Sequence, residues 1–303
     1  MSSSPDRLRI AGVADADAIV ALYTGRRALD AAQVRSWFAN ATFDADDFRV
    51  VERDGRVVGY ADVHAEVDRL SVDWAATDPQ AGDVLLDWAE ERAHSAALDR
   101  LVAHEWPGSD DLAAILRARG FAPFRASLEM QVPLGGDVPE PDWPEGIAVE
   151  PLREQDERDV HALLEEAFAD VHDFRPTPFE EWAAWWDPSR KRLDLWFAAR
   201  ARGELAGVVL CDEERAGSPS LGWVESLAVR RPWRRRGLGR ALLLHSFGIF
   251  ASLGKEAVGL SVQADNPTGA VLLYESVGMR PVSRRVLYEK RLTPAEPPGS
   301  RLA

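Results

Sequence analysis

The stretch Trp223-Val-Glu-Ser-Leu-Ala-Val-Arg-Arg-Pro-Trp-Arg-Arg-Arg-Gly-Leu-Gly-Arg240 decides how this chain reads. Its first part is apolar and ends in Leu227-Ala228-Val229, a strand pattern that Pro232 stops. An arginine-dense loop and the glycines Gly237 and Gly239 follow, and then an apolar helix beginning Ala241-Leu242-Leu243-Leu244. Strand, glycine loop and helix in that order predict a phosphate cradle. Glycine lets the backbone come close, and the first helical turn offers N–H groups without intrahelical acceptors in a field that favours an anion. Arg234, Arg235, Arg236 and Arg240 add fixed positive charge around that turn.

Two common phosphate loops do not fit. A Walker loop carries Lys directly after its second glycine, and none follows here. A dinucleotide fingerprint needs a third glycine and opens directly after the strand, whereas here the arginines precede the glycines. The segment resembles the acetyl-CoA loop of the GNAT acetyltransferases, Arg/Gln-x-x-Gly-x-Gly/Ala, matched as Arg234-x-x-Gly237-x-Gly239 after a strand ending Leu-Ala-Val. The resemblance implies an α/β (α+β) fold with a mixed, mostly antiparallel central sheet flanked by helices. It also implies acetyl-CoA as co-substrate and no metal. The cofactor set it implies is Leu227, Ala228, Val229, Arg234, Arg235, Arg236, Gly237, Leu238, Gly239 and Arg240, with Asn266 and Ala270 from the next helix.

Composition narrows the partners. The chain has 303 residues, 36 Lys+Arg against 50 Asp+Glu and a formal charge of −14, so its global field repels a nucleic acid. An arginine cluster on an acidic protein suits a small polyphosphate. No N-terminal apolar run reads as a signal peptide, and no apolar segment is long enough to span a bilayer, so a cytoplasmic protein without membrane contact is expected, as monomer or homodimer. The lone Cys211 lies among apolar residues and reads as a buried thiol. The six histidines are scattered, without metal-ligand spacing.

Length suggests two domains, and Pro133–Gly146, rich in proline and glycine, reads as a linker between residues 1–132 and 147–303. The second half predicts the order β-α-α-β-β-β-α-β-α-β. It has a helix through Val160, Leu163, Leu164, Ala167 and Phe168, a hairpin at Arg202-Gly203, a strand at Ala257–Ala264 and a helix capped by Asn266-Pro267. A last strand around Arg284–Leu292 is expected to close that half. The first half echoes it: Asp54-Gly55 mirrors Arg202-Gly203, and Leu116–Gly120 mirrors Tyr274–Gly278. The resemblance therefore covers nearly the whole chain as a tandem duplication, similar to the two-domain actinobacterial acetyltransferases, a group that includes mycothiol synthases.

The first copy lacks the cradle. Its loop is shortened, Asp78 and Asp83 stand where the second copy has cations, and Gly108 and Leu116 match Asn266 and Tyr274. A single acetyl-CoA site, in the second half, is expected. There the resemblance places Tyr274 as general acid for the leaving thiolate, which motif context and helix position both favour; the alternative is a tyrosine packed through its ring alone. Glu225, two residues before Leu227, is the candidate base, with a salt-bridged surface glutamate as the alternative. Period-2 alternation would put it on one face with Trp223 and Leu227. Asp170, His172 and Asp173 are further acceptor-side candidates, and Trp182, Trp185, Trp186 and Trp196 read as core or as an aromatic wall. The expected activity is acetyl transfer to a primary amine, of a small molecule or peptide, in a ternary complex. The alternatives are acetylation of a thiol-metabolite precursor and a non-catalytic CoA sensor.

Overall fold

A computed structural model describes residues 5–26, 29–39, 44–66, 68–106, 108–172, 174–184, 192–215 and 218–293. Trp185, Trp186 and Asp173 lie outside them. In chain order the first elements are β1 (Arg7–Ile10), α1 (Ala16–Tyr23), α2 (Ala31–Ala39), β2 (Phe48–Arg53), β3 (Arg56–Ala65), β4 (Leu70–Ala76), α3 (Pro79–Ser95), β5 (Arg100–Glu105), α4 (Asp110–Ala118) and β6 (Ala122–Pro133). The second series is β7 (Ile147–Pro151), α5 (Glu157–Phe168), α6 (Phe179–Ala184), β8 (Phe197–Ala201), β9 (Glu204–Asp212), β10 (Leu221–Val229), α7 (Leu238–Ser252), β11 (Ala257–Gln263), α8 (Ala270–Ser276) and β12 (Arg280–Arg291). That is the element order expected for the second half.

The duplication is visible in backbone detail. Asp54-Gly55 and Arg202-Gly203, the two hairpin turns, all have positive φ, which matches the right-handed twist of the flanking strands. The helices α4 and α8 end alike: Phe121 N–H donates to Leu116 C=O and Met279 N–H to Tyr274 C=O, around Gly120 and Gly278 at φ +83° and +92°.

The compact units, however, are not the sequence halves. One comprises residues 1–126 with 284–303, the other residues 127–283. In the first unit the strands lie in the order β1-β2-β3-β4-β5-β12, all neighbours antiparallel except the parallel pair β4/β5. In the second the order is β6-β11-β10-β9-β8-β7, with β10/β11 the parallel pair. The closing strands are thus exchanged. Val286–Arg291 of β12 pair with β5, and Tyr288, 2% exposed, packs in the core of the first unit. Ser127–Gln263 to Pro133–Ala257 is the register of β6 on β11, and the fully buried Met130 joins the core of the second unit. The strand around Arg284–Leu292 therefore closes the first unit, not the second. Side-chain alternation specifies which face of a strand is buried but not which strand it lies beside, so two copies with the same edges accept either closing strand.

Each unit has apolar clusters on both faces of its strands. In the first, Trp74, Leu85, Leu86 and Leu112 pack with α3 and α4, while Ile19, Val34 and Tyr60 pack with α1 and α2. In the second, Leu242, Phe247 and Phe250 of α7 occupy one face, and Val160, Leu163 and Leu164 of α5 the other. Trp182 and Trp196 belong to that second core, and Trp196 Nε1 donates to Cys211 C=O at 3.2 Å. Cys211 is buried and free, and burial pushes its thiol up.

At the start of α3, Asp78 is the N-cap and accepts from Ala81 N–H at 3.1 Å, while Arg53 pairs with it at 2.8 Å. The Arg53 guanidinium holds the carboxyl down to about 2. A carboxylate depressed in the folded state stabilises above its unfolded value near 3.9, and that contribution is lost as pH falls toward 2. Asp78→Asn, which keeps a cap but removes the charge, is expected to show a smaller drop in urea midpoint between pH 6 and pH 3 than the parent. An unchanged drop would remove Asp78 from the acid response.

Candidate active site

The site begins where two parallel strands part. Leu221–Val224 of β10 pair with Ala257–Leu260 of β11, and from there β10 runs on to Val229 paired only with β9. No strand pairs with the backbone edge of Leu227–Val229 that would face β11; on it, Val229 C=O accepts from Arg234 Nε. At the parting point a bulge shifts the β9/β10 register between Val224 and Ser226. The extra residue is Glu225.

The bulge overturns one half of the face assigned to Glu225, the half shared with Leu227. Val224, Leu227 and Val229 all pack on the α7 side, while Ala228 packs on the α5 side. Alternation thus breaks at the bulge, and Glu225 does not share a face with Leu227. It is exposed and stays with Trp223, accepting a hydrogen bond from Trp223 Nε1 at 3.0 Å. Arg215 lies over the Trp223 ring at 4.2 Å.

A cleft of about 230 Å³ opens between the end of α5, the tip of β10, the start of α7 and α8. Of the residues expected at the cofactor, Leu227, Ala228, Val229, Arg234, Arg235, Gly237, Leu238, Gly239, Arg240, Asn266 and Ala270 line it. Arg236 does not; its guanidinium lies over the Trp233 ring at 5.0 Å. Phe168, Trp233, Thr268 and Leu273 also line the cleft and were not foreseen. Phe168 ends α5 and Leu273 lies midway along α8, both on apolar helix faces where sequence cannot separate core from cleft wall.

The cradle has the expected backbone. Arg235 and Gly237 take φ of +60° and +86°, turning the chain into α7, whose N-cap is Gly237. Among the described residues none accepts from the N–H groups of Gly237, Leu238, Gly239 or Arg240. A Cβ on Gly237 would meet open space, whereas one on Gly239 would stand 3.2 Å from Leu273. Gly237 therefore serves the turn, and Gly239 serves close packing of α7 on α8 as well. Arg235 and Arg240 are exposed and make no ion pair with a described residue. Free N–H groups, two free guanidiniums and an unpaired strand edge fit a pyrophosphate joined to an extended amide-containing arm.

Asn266 is not the cap of α8. That helix starts at Ala270 with Gly269 as N-cap, while Asn266 Oδ1 accepts from the Thr268 N–H at 3.0 Å and its hydroxyl at 2.6 Å. The side chain stabilises its own turn two residues on, which competes with a helix start there.

Tyr274 is 8% exposed and lines the cleft. Its hydroxyl makes no hydrogen bond to a described residue, and burial pushes its pKa up to about 12. Asp170, by contrast, is held down to about 2 by hydrogen bonds from Arg231 and Arg234, which removes it as a proton acceptor at neutral pH. His172 is exposed, and its backbone C=O accepts from Gln263.

The corresponding place in the first unit is filled. Beyond the last β4/β5 pair, Val72–Ala103, the Asp73 carboxylate accepts from the Tyr23 hydroxyl at 2.9 Å and Trp106 Nε1 at 2.8 Å. At α3 the Asp78 cap already occupies a first-turn N–H. Both the wedge and the helix start thus carry a carboxylate, whose charge opposes an anion.

Residues 158–279 match the family model described as Acetyltransferase (GNAT) family. A solved GCN5-related N-acetyltransferase from Sphaerobacter thermophilus is 30% identical, with a TM-score of 0.78 covering 94% of this chain and 95% of that one. The chain belongs to the GNAT acetyltransferase family. Its two units make it a tandem member. A tandem GNAT protein from the clavulanic acid biosynthesis pathway, 18% identical, shares the fold with a TM-score of 0.73, covering 96% of this chain and 100% of that one. A mycothiol acetyltransferase of Thermobispora bispora is 34% identical over 199 residues, spanning 61% of this chain and 64% of that protein. No helix among the described residues is long and apolar enough to cross a membrane.

Proposed function

We propose that the protein is an acetyl-CoA-dependent N-acetyltransferase that transfers the acetyl group to a primary amine directly, in a ternary complex. The observation that carries this reading is the cleft in which an open helix start, two arginines and a hydroxyl meet, all without partners among the described residues. Acetyl-CoA, when bound, supplies an activated acyl group on a thioester. The first turn of α7 with Arg235 and Arg240 holds the pyrophosphate, and the free edge of Leu227–Val229 orients the arm. Glu225, exposed at the bulge, accepts the amine proton, with Trp223 fixing one carboxylate oxygen. Tyr274 donates a hydrogen bond to the departing sulfur. With its pKa near 12, against about 8.5 for a thiol, the phenol supports the sulfur mainly as a donor rather than by complete proton transfer.

Acetylation of the amine of a thiol-metabolite precursor is a second reading, favoured by relatives that carry the name mycothiol acetyltransferase over most of their length. A CoA-sensing role without turnover is disfavoured by Tyr274 in the cleft. Calorimetric titration with acetyl-CoA is expected to give one site per chain, with affinity falling as salt rises. Two equivalent sites would overturn the reading of the first unit. A panel of small amines, peptides and aminothiol conjugates, followed by release of CoA thiol, identifies the acceptor. Release with none of them despite tight binding would favour the sensor.

A further inference from the structure

Arg234, the first residue of the Arg-x-x-Gly-x-Gly pattern, is fully engaged within the protein. Its Nε donates to Val229 C=O at 3.0 Å, Nη2 to Ala167 C=O at 3.2 Å and Nη1 to Asp170 at 2.7 Å. One planar fork thus joins the tip of β10, the last turn of α5 and the segment after it. Asp170 takes a second arginine, Arg231, at 2.7 Å. Glu166, one turn earlier, accepts from Arg230 at 3.2 Å and from the Arg231 N–H at 3.4 Å. Two carboxylates at the end of α5 therefore grip the loop from Arg230 to Arg234, directly before the residues whose left-handed φ opens the cradle.

We propose that Asp170 is a positioning residue for the anion cradle: it fixes Arg231 and Arg234 so that the loop presents Arg235, Gly237 and the α7 N–H groups to the ligand. This rests on the reading of the cleft as an acetyl-CoA site. Holding a non-glycine residue at positive φ opposes its own preference, and flanking clamps keep the loop in that shape. The arrangement also divides the arginines by task. Arg231 and Arg234 are struts, and Arg235 and Arg240 remain free to meet phosphate.

The sign of one substitution separates positioning from simple charge. Asp170 places a negative charge beside an anion site, so by Coulomb attraction alone Asp170→Asn would tighten binding. If the residue positions the loop, the same change loosens it, because two charge-assisted bonds that order the cradle are lost. Acetyl-CoA is titrated into the full-length parent, Asp170→Asn and Glu166→Gln, with melting temperatures measured alongside. The expected result is binding weaker by about ten-fold or more in Asp170→Asn at a melting temperature near the parent's. Glu166→Gln, which removes the other carboxylate of the clamp and by charge alone would also tighten binding, is expected to lose less in the same direction, and supplies the readout should Asp170→Asn misfold. Parent-like or tighter binding in the folded variants would overturn the proposal. A parent that fails to bind acetyl-CoA would overturn the reading of the cleft, and the proposal with it.

Discussion

Residues 1–132 and 147–303, expressed as separate chains, are expected to be aggregated or largely unfolded. The second fragment lacks β6, and with it the whole of the antiparallel ladder on Ala257–Gln263 and the buried Met130. The alternating side chains of β11 include Val258 and Leu260, both 2% exposed or less, so the fragment presents an unpaired apolar edge, the usual template for aggregation. The first fragment loses β12 in the same way: Tyr288 leaves its core, and Arg117 and Glu90 lose their partners Tyr288 and Lys290. Burying one such side chain is worth about 1.5–3 kcal/mol, and a ladder of backbone bonds adds to it. Against a total stability of about 5–15 kcal/mol, these losses are decisive. A fragment of residues 127–283, which keeps β6, is expected to stay soluble where 147–303 does not. Gel filtration and far-UV circular dichroism decide the matter. A monodisperse, folded 147–303 fragment would show that β6 is dispensable.

Tyr274→Phe is expected to lower turnover about a hundred-fold or more, with acetyl-CoA affinity within about two-fold of the parent. The ring keeps its place in the core of the second unit, and the lost hydroxyl has no partner among the described residues, so none of them is left unsatisfied by the change. Since burial raises the phenol to about 12, it stays protonated throughout the working range. The parent's rate should accordingly show no alkaline fall attributable to Tyr274 below about pH 10. Saturation kinetics of the two proteins with a turned-over amine, from pH 6 to 10, test both statements. Equal turnover at every pH would leave Tyr274 as a packing residue and assign protection of the sulfur to water or another group.

Much of the second unit was legible in residue order. The apolar spacing of α5, the turn at Arg202-Gly203 and the glycine pattern before α7 are local signals, and each formed its element where expected. The cradle could be read for the same reason, since positive φ at Gly237 and free first-turn N–H groups follow from a few neighbouring residues. The duplication showed itself because both copies repeat the same turn and helix-end chemistry.

What remained for tertiary structure was choice among partners. Strand alternation does not name the neighbouring strand, so the exchange of β6 and β12 appeared only in the fold. A single extra residue at Glu225 reversed the alternation of β10, which no period-2 reading anticipates. The six arginines from Arg230 to Arg240 look alike in sequence. Two carboxylates brought in by α5 made Arg231 and Arg234 structural, and the Trp233 ring took Arg236. Sequence by itself determined the elements, the repeat and the local shape and charge of the cradle, because these depend on local conformation and charge. The fold decided which arginines are free, which strand closes which unit and which way Glu225 faces, because each depends on residues far away in the chain.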